Sequence, residues 1–256
     1  MKDKKTLNSK LNSLNYYVIF DCDGVIVDDR RTYYVAIHKT VNFFMKKLHF
    51  PLFRKSEIIE FKFKNGINND WDLDMFGILK RIGKYKKGIS HINGMKILKE
   101  TTGIDYDEIV NTFDSIYYSI KKRERLFLKE SFFRYLKKKN FKLGIVSGRI
   151  KKDLIDTLER FSIKKYFSFI YTEDDIPNIK YRKPHPYLLD RAIKENVKDK
   201  ERVIFVGDSI ADKVMYEKSK YKKRIKFIPV DFSKRGIFKN AIRRVNELKR
   251  CILNGF

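Results

Sequence analysis

Two aspartates that directly follow an apolar run constrain the fold of this chain more than any other feature. Residues 16–20 (YYVIF) have the composition of a buried strand, and Asp21 and Asp23 come next, just before Gly24. Residues two apart on a strand face the same side, and the glycine lets the backbone turn. One carboxylate can then attack or bind a metal while the other moves a proton. A strand that simply ends in an acidic turn is the alternative for this segment alone.

Three later segments place further polar residues at predicted strand ends or turns. Ser147 ends the apolar run 143–146, Lys183 lies in Arg-Lys-Pro-His-Pro at 182–186, and Asp208 follows the run 203–207 with Asp212 four residues on. Asp208 alone could equally be the N-cap of a helix. In a parallel sheet the carboxyl ends of the strands form the ligand-binding edge, so we expect these side chains to lie close together.

The four segments, in this order, resemble the motifs of the haloacid dehalogenase-like hydrolase superfamily, and most closely its phosphoglycolate phosphatase-like subfamily IA, which has an α-helical cap. The resemblance extends from about residue 16 to about residue 230. It implies that Asp21 is a nucleophile that forms an aspartyl-phosphate and that Asp23 is the general acid and base. Because the dehalogenase branch typically lacks an acid at the position of Asp23, phosphoryl chemistry is favoured.

The resemblance also implies a phosphate site and a Mg²⁺ site. Ser147, Gly148 and Lys183 are expected to bind the phosphoryl group. Arg149 is a weaker candidate for contact with phosphate or substrate, an exposed helix start being just as compatible with its position. The expected Mg²⁺ ligands are Asp21, Asp208, Asp212 and Asp23, the last through its backbone carbonyl, with Asp212 either a direct ligand or one shell further out.

The favoured function is therefore a Mg²⁺-dependent phosphatase that hydrolyses a small phosphate monoester. A sugar phosphomutase on the same fold is the alternative among enzymes, since it would share all four motifs. A non-catalytic protein that holds RNA or another polyanion is the alternative from a different class. A pure binder would have no use for four converging acids, so their presence favours catalysis.

The pattern along the chain predicts an α/β fold, a Rossmann-like doubly wound parallel sheet with an inserted α-helical cap. Short apolar runs alternate with helical stretches from residue 132 onward, whereas the segment between the first motif and residue 125 has helical periodicity only. We therefore expect a catalytic core at 16–29 and 126–256, a cap at 30–125 and a flexible lead-in at 1–15. A final amphipathic helix is predicted across 236–256, and its apolar stripe is formed by Ile237, Ala241, Ile242, Val245 and Leu248.

One segment of the predicted cap is a candidate for substrate specificity. Residues 61–73 contain the single tryptophan, Trp71, beside a cluster of polar residues. The segment is similar to an Asn-Asn-Asp-Trp stretch in one branch of the capped hydrolases, which makes Lys64, Asn68, Asn69 and Asp70 candidate specificity residues. The alternative is a capped helix start, with Asn or Asp as N-cap and Trp71 packed in the core of the cap.

Charge is the unusual property of the composition. The chain has 58 Lys and Arg against 32 Asp and Glu, a net charge of +26. Such an excess attracts polyanions without specificity, but the lysines are scattered and lack interleaved aromatics. A Lys-rich compositional bias over solvated faces is therefore the favoured interpretation, and any binding of nucleic acid is expected to be non-specific and electrostatic. The sequence has no apolar run long enough to span a bilayer and no signal-like start, and it has only two cysteines. A cytoplasmic protein acting on a small phosphorylated metabolite is expected, and its oligomeric state is left open.

Overall fold

The structure is a computed structural model that describes residues 16–199 and 201–255. The predicted lead-in at 1–15 lies outside the described residues. The chain divides into two compact units. The core unit is formed by the chain up to Val27 and from Leu126 onward, and the helical unit is Asp28–Arg125. The assignment of these units as catalytic core and cap stays a prediction.

A five-stranded parallel sheet organises the core unit, with the strand order β5-β4-β1-β6-β7. The first strand in the chain is thus central and has β4 and β6 on its two sides. These strands are β1 (Tyr17–Phe20), β4 (Lys142–Val146), β5 (Phe167–Tyr171), β6 (Val203–Gly207) and β7 (Ile225–Pro229). Two very short strands, β2 (Val27–Asp28) and β3 (Arg125–Leu126), pair with each other where the chain passes between the units.

Helices cover both faces of this sheet because the strand side chains alternate between two apolar clusters. Val18 and Phe20 of β1 pack in one cluster, and Tyr17 and Ile19 pack in the other. The first cluster includes side chains of α6 (Glu130–Lys138), α7 (Lys151–Arg160) and α10 (Val245–Leu253). The second includes side chains of α8 (Tyr187–Asn196) and α9 (Ile210–Lys218). The predicted doubly wound α/β fold is confirmed.

The helical unit has five α-helices within the described residues and a separate apolar core. Their ends carry the expected signals: Asn69 and Ser90 accept backbone hydrogen bonds at N-termini, Asp105 and Glu108 form a capping box, and Gly103 ends a helix in the left-handed conformation. The helices are α1 (Tyr33–Lys47), α2 (Lys55–Asn65), α3 (Asp70–Arg81), α4 (His91–Thr102) and α5 (Tyr106–Ile120).

The end of the chain differs from the expectation of one helix across 236–256. The helix α10 begins only at Val245, and Ile242 instead forms a parallel bridge with Val230 at the end of β7. The segment between β7 and α10 therefore returns to the end of β7 at Ile242 before the helix begins. Among the helices of the described chain, none has the length and apolar character needed to cross a bilayer.

Asp74 of α3 is an acid inside the apolar core of the helical unit. Its side chain is fully buried, and neither carboxylate oxygen receives a hydrogen bond of normal geometry from a described residue. Burial, together with the nearby Asp70 carboxylate, raises the pKa of Asp74 well above its usual value, and Lys62 acts against this. The folded protein therefore holds a proton on Asp74 that the unfolded chain releases above about pH 4.

We expect Asp74→Asn to stabilise the protein at pH 8 by on the order of 1–3 kcal/mol, because the amide avoids the cost of a buried carboxyl group that would ionise when unfolded. The folded state binds the extra proton, so the stability of the wild type falls as the pH rises above about 4, and the advantage of the variant should be smaller at pH 5. Urea unfolding at the two pH values measures both differences.

Glu100→Gln is the matched control, because the Glu100 side chain is 59% exposed on α4 of the same unit. Its unfolding free energy should change little with pH relative to the wild type. An Asp74→Asn protein that is equally destabilised at both pH values would contradict the assignment of a protonated carboxyl group.

Candidate active site

The first-motif aspartates lie where β1 ends and the chain makes a tight turn. The Asp21 backbone N–H donates to the Val206 carbonyl of β6 (2.9 Å), so Asp21 is still held in the sheet. The Cys22 carbonyl then accepts from the N–H groups of Ile26 and Val27 (2.8 and 2.9 Å), which closes a turn that carries Asp23. The Asp21 and Asp23 side chains consequently project at the carboxyl edge of the sheet from different backbone environments.

Gly24 is required in this turn for two reasons. Its φ of +75° lies in the left-handed region that favours glycine. A Cβ atom at this position would also overlap the carboxylate of Asp208 and come within 2.9 Å of the Arg235 guanidinium. The missing side chain therefore allows the turn to lie directly against the end of β6.

Lys183 forms the centre of the site. Its ammonium group donates to Asp21 Oδ1 (2.6 Å) and to Asp212 Oδ1 (2.9 Å), and its side chain is only 3% exposed. Burial alone would lower the pKa of Lys183, but the two carboxylates raise it above the usual range for lysine. A permanently charged ammonium group is thus held between the end of β1 and the first turn of α9.

The environment of Asp21 disfavours the ionised form of its carboxyl group. Burial, reinforced by the nearby Asp212 carboxylate, raises the pKa of Asp21 to about 7, while Lys183 acts in the opposite direction. The carboxyl group is therefore near the midpoint of its titration at neutral pH. A small change in local charge is enough to set whether Asp21 is ionised.

Asp208 and Asp212 follow β6 and complete an acidic group with Asp21. One carboxylate oxygen from each lies within 4.8 Å of the others, and all three residues are buried. Asp212 is fixed by a capping box at the start of α9, in which its Oδ2 accepts from the Ser209 hydroxyl (2.5 Å) and backbone N–H (3.2 Å). Three convergent hard oxygen donors fit the preferences of Mg²⁺. Asp212 is thus both the third residue of the helix, within the capping box, and a partner of Lys183.

Ser147 and Arg149 lie at the end of β4, beside the turn after β1. The Ser147 side chain is almost fully buried, and its Oγ accepts from the Arg149 backbone N–H (3.1 Å). The Arg149 side chain, 2% exposed, donates to both carboxylate oxygens of Asp23 (2.8 and 2.5 Å) and to Thr157 Oγ1 (3.1 Å). Arg149 therefore is not an exposed residue at a helix start, and it holds Asp23 in a bidentate ion pair.

Sequence reasoning missed Arg235, which also reaches the site. Its guanidinium pairs with Asp208 Oδ2, and the side chain is 11% exposed. The backbone N–H groups of Arg235 and Gly236 each donate to the buried Asp231 carboxylate (2.7 Å), which fixes the loop after β7. No sequence motif marks this arginine, because its position depends on how a loop folds. The available sequence signal was Asp231, which directly follows the apolar residues 227–230.

The four candidate specificity residues belong to the helical unit and have local partners there. Lys64 is 73% exposed and pairs with Glu60 (2.5 Å), while Asp70 pairs with Lys62 (2.5 Å). Asn69 is the N-cap of α3 and accepts from the Asp72 backbone N–H (2.9 Å). Asn68 precedes it and is partly exposed. These local roles match the capped helix start, and a role in specificity stays a prediction.

Convergent acids and a buried lysine at the strand ends of a parallel sheet are typical of the active site of an α/β enzyme rather than of a simple binding module. The family model for haloacid dehalogenase-like hydrolases matches residues 18–223. This match spans most of the chain, so the protein belongs to the haloacid dehalogenase-like hydrolase family and is a hydrolase. The predicted family resemblance is confirmed.

Curated relatives of this chain are distant. It is 21% identical to the pyrophosphatase PpaX of Bacillus cereus (strain B4264) over 196 residues, which cover 76% of this chain and 75% of the relative. It is 28% identical to the pyrophosphatase PpaX of Halalkalibacterium halodurans over 107 residues, a stretch that spans only 42% of either chain.

Solved structures share the fold at low identity. Phosphatase Tt82 from Thermococcus thioreducens has a TM-score of 0.69 at 20% identity, covering 94% of this chain and 100% of the other. A Haemophilus somnus protein predicted to be a phosphoglycolate phosphatase has a TM-score of 0.58 at 17% identity, with 84% of each chain covered. A Thermotoga maritima protein assigned as a β-phosphoglucomutase has a TM-score of 0.59 at 18% identity, with 94% and 100% covered.

We expect Asp21→Asn to be more stable than the wild type at pH 8 in the absence of metal, by on the order of 2 kcal/mol. Because the pKa of Asp21 is raised, the folded state binds a proton that the unfolded state has lost. The free energy of unfolding of the wild type therefore falls as the pH rises from about 4 to about 7. The difference between the two proteins should therefore grow from pH 5 to pH 8, as measured by thermal unfolding in EDTA.

Asp199→Asn removes a carboxylate that is fully exposed in the same unit and provides the control. Its unfolding temperature should follow that of the wild type at both pH values. A lower stability of Asp21→Asn at pH 8 would show that the Lys183 ion pair outweighs the burial of Asp21.

Proposed function

We propose that this chain is a Mg²⁺-dependent phosphatase that hydrolyses a small phosphate monoester through an aspartyl-phosphate on Asp21. The observation that carries the proposal is the buried Lys183 ammonium between Asp21 and Asp212, with Asp208 in the same acidic group. Such a site combines a nucleophile with fixed positive charge for phosphoryl oxygens. The names of the pyrophosphatase and phosphatase relatives agree with phosphoryl chemistry.

The first half of the reaction uses the two aspartates of the turn after β1. A carboxylate oxygen of Asp21 attacks phosphorus, the bond from phosphorus to the ester oxygen breaks, and the leaving oxygen takes a proton from Asp23. Lys183 holds Asp21 in place through Oδ1 and offers its charge to the phosphoryl oxygens. Ser147 and the backbone N–H of Gly148 are the proposed donors to those oxygens.

The second half returns the enzyme to its starting state. Asp23, now a carboxylate, takes a proton from a water molecule that attacks phosphorus, and phosphate leaves Asp21. Arg149 holds Asp23 through both oxygens between these events and is a positioning residue in this scheme. Asp21, Asp208 and Asp212 would hold Mg²⁺, with the Asp23 carbonyl as a further ligand. The ion would supply positive charge to the phosphoryl oxygens.

The wider assignment also remains a proposal. The helical unit is proposed as the cap that selects the substrate, through Lys64, Asn68, Asn69 and Asp70. The substrate is proposed to be a small phosphorylated metabolite, and pyrophosphate belongs among the candidates because of the relatives' names. A cytoplasmic site of action is proposed on the sequence alone, and the charge of +26 would attract anionic substrates to the protein.

We expect phosphate release that requires Mg²⁺ and is abolished by Asp21→Asn. The assay uses p-nitrophenyl phosphate, pyrophosphate and a panel of sugar and organic acid phosphates, with Mg²⁺ and with EDTA. Asp23→Asn should lower kcat by roughly 10²–10⁴-fold, the usual contribution of a general acid and base. Acid quenching with ³²P-labelled substrate should trap label on the wild type and on Asp23→Asn but not on Asp21→Asn.

Asp199→Asn should retain full activity, because its side chain is exposed. Release of phosphate by Asp21→Asn at the wild-type rate would refute the nucleophile. Labelled protein that passes its phosphoryl group to a sugar phosphate, without net phosphate release, would establish the phosphomutase instead.

A further inference from the structure

Arg235 forms an ion pair with Asp208, which is one of the proposed ligands of the metal ion. Its guanidinium pairs with Asp208 Oδ2, where the two side chains are 11% and 5% exposed. Asp208 belongs to the group of three buried acids whose oxygens lie within 4.8 Å of one another. The Arg235 guanidinium and a Mg²⁺ ion at the proposed site would therefore contact the same Asp208 carboxylate.

The pairing is built into the fold rather than made by a loose surface side chain. The buried Asp231 accepts hydrogen bonds from the backbone N–H groups of Arg235 and Gly236 (2.7 Å each). The bridge between Val230 and Ile242 closes the same segment onto the end of β7. On the opposite side, the absence of a Cβ at Gly24 leaves room for both the Asp208 carboxylate and the guanidinium.

Electrostatics makes the two cations competitors. A guanidinium is always charged and binds carboxylates through charge-assisted hydrogen bonds, which are strong when shielded from water. A divalent ion on the same carboxylate would repel it at short range in a medium of reduced dielectric constant. Lys183 is placed differently, because it contacts Asp21 and Asp212. The Arg235 pair is thus the contact that directly opposes a metal on Asp208.

We propose that Arg235 is the counter-ion of Asp208 in the metal-free protein and that Mg²⁺ must displace it, so that Arg235 lowers the affinity of the site for Mg²⁺. This inference rests on the proposed function, because it takes Asp208 as a metal ligand. Arg235 is a positioning residue in this scheme, because it holds the Asp208 carboxylate in the site until Mg²⁺ binds that carboxylate. A purely structural role, tying down the loop after β7, would instead leave Mg²⁺ affinity unchanged or weaken it.

The test is calorimetric titration of the metal-free full chain with MgCl₂, which measures binding without substrate or turnover. Arg235→Gln should bind Mg²⁺ roughly tenfold or more tightly than the wild type, because a buried charge-assisted hydrogen bond no longer has to be broken. Arg243→Gln removes one positive charge from an exposed position in the same unit. This control measures how much the change in net charge alone alters the affinity for Mg²⁺. Asp208→Asn reports whether the measured ion binds at this site.

Arg235→Met provides a second route if the glutamine variant does not fold, since it keeps an unbranched stem to pack against the site. The same increase in affinity over Arg243→Gln is expected. An unchanged or lower affinity in the variant that folds, with binding abolished by Asp208→Asn, would overturn the inference and leave the metal site intact. Absence of Mg²⁺ binding in the wild type and in both Arg235 variants would overturn the inference and the proposed metal dependence together.

Discussion

The ion pair of one buried lysine with two aspartates is the interaction on which the rest of the site depends. Lys183 joins Asp21, at the end of the central strand, to Asp212, in the first turn of α9. Buried carboxylates are costly unless they are paired, and two of them close together are more costly still. The ammonium group between them makes it possible for these acids to share one strand edge in a folded protein.

The same solution is repeated at each remaining acid of the edge. Asp23 is held by the Arg149 fork and Asp208 by Arg235, so four carboxylates of the site have three protein cations as partners. The cations come from the segments after β4, β5 and β7. Three of the other four strands of the sheet therefore contribute a cation to the edge through the segment that follows each of them. The strand order, with β1 in the centre, makes this convergence possible.

The sequence predicted those features that follow from local pattern and chain order. The apolar runs before Asp21, Ser147 and Asp208 are the strands β1, β4 and β6, and their parallel order brings the three residues to one edge. Sequence could not predict Arg235 or the Arg149 fork, because each depends on where a side chain of a loop is directed. The final helix was predicted too long, because Ile242 fits a helical stripe yet bridges to Val230 at the sheet.

The pairing of all four carboxylates with cationic side chains has a consequence for folding. A cluster of four buried carboxylates without partners would disfavour folding, and some small domains fold only when a metal ion is bound. Here Lys183, Arg149 and Arg235 supply compensating positive charge from within the chain. Any ion that binds must then compete with charges already in place, which makes its binding weaker and more readily reversed. The ion pairs that stabilise the core thus also lower the affinity of its acidic edge for a metal ion.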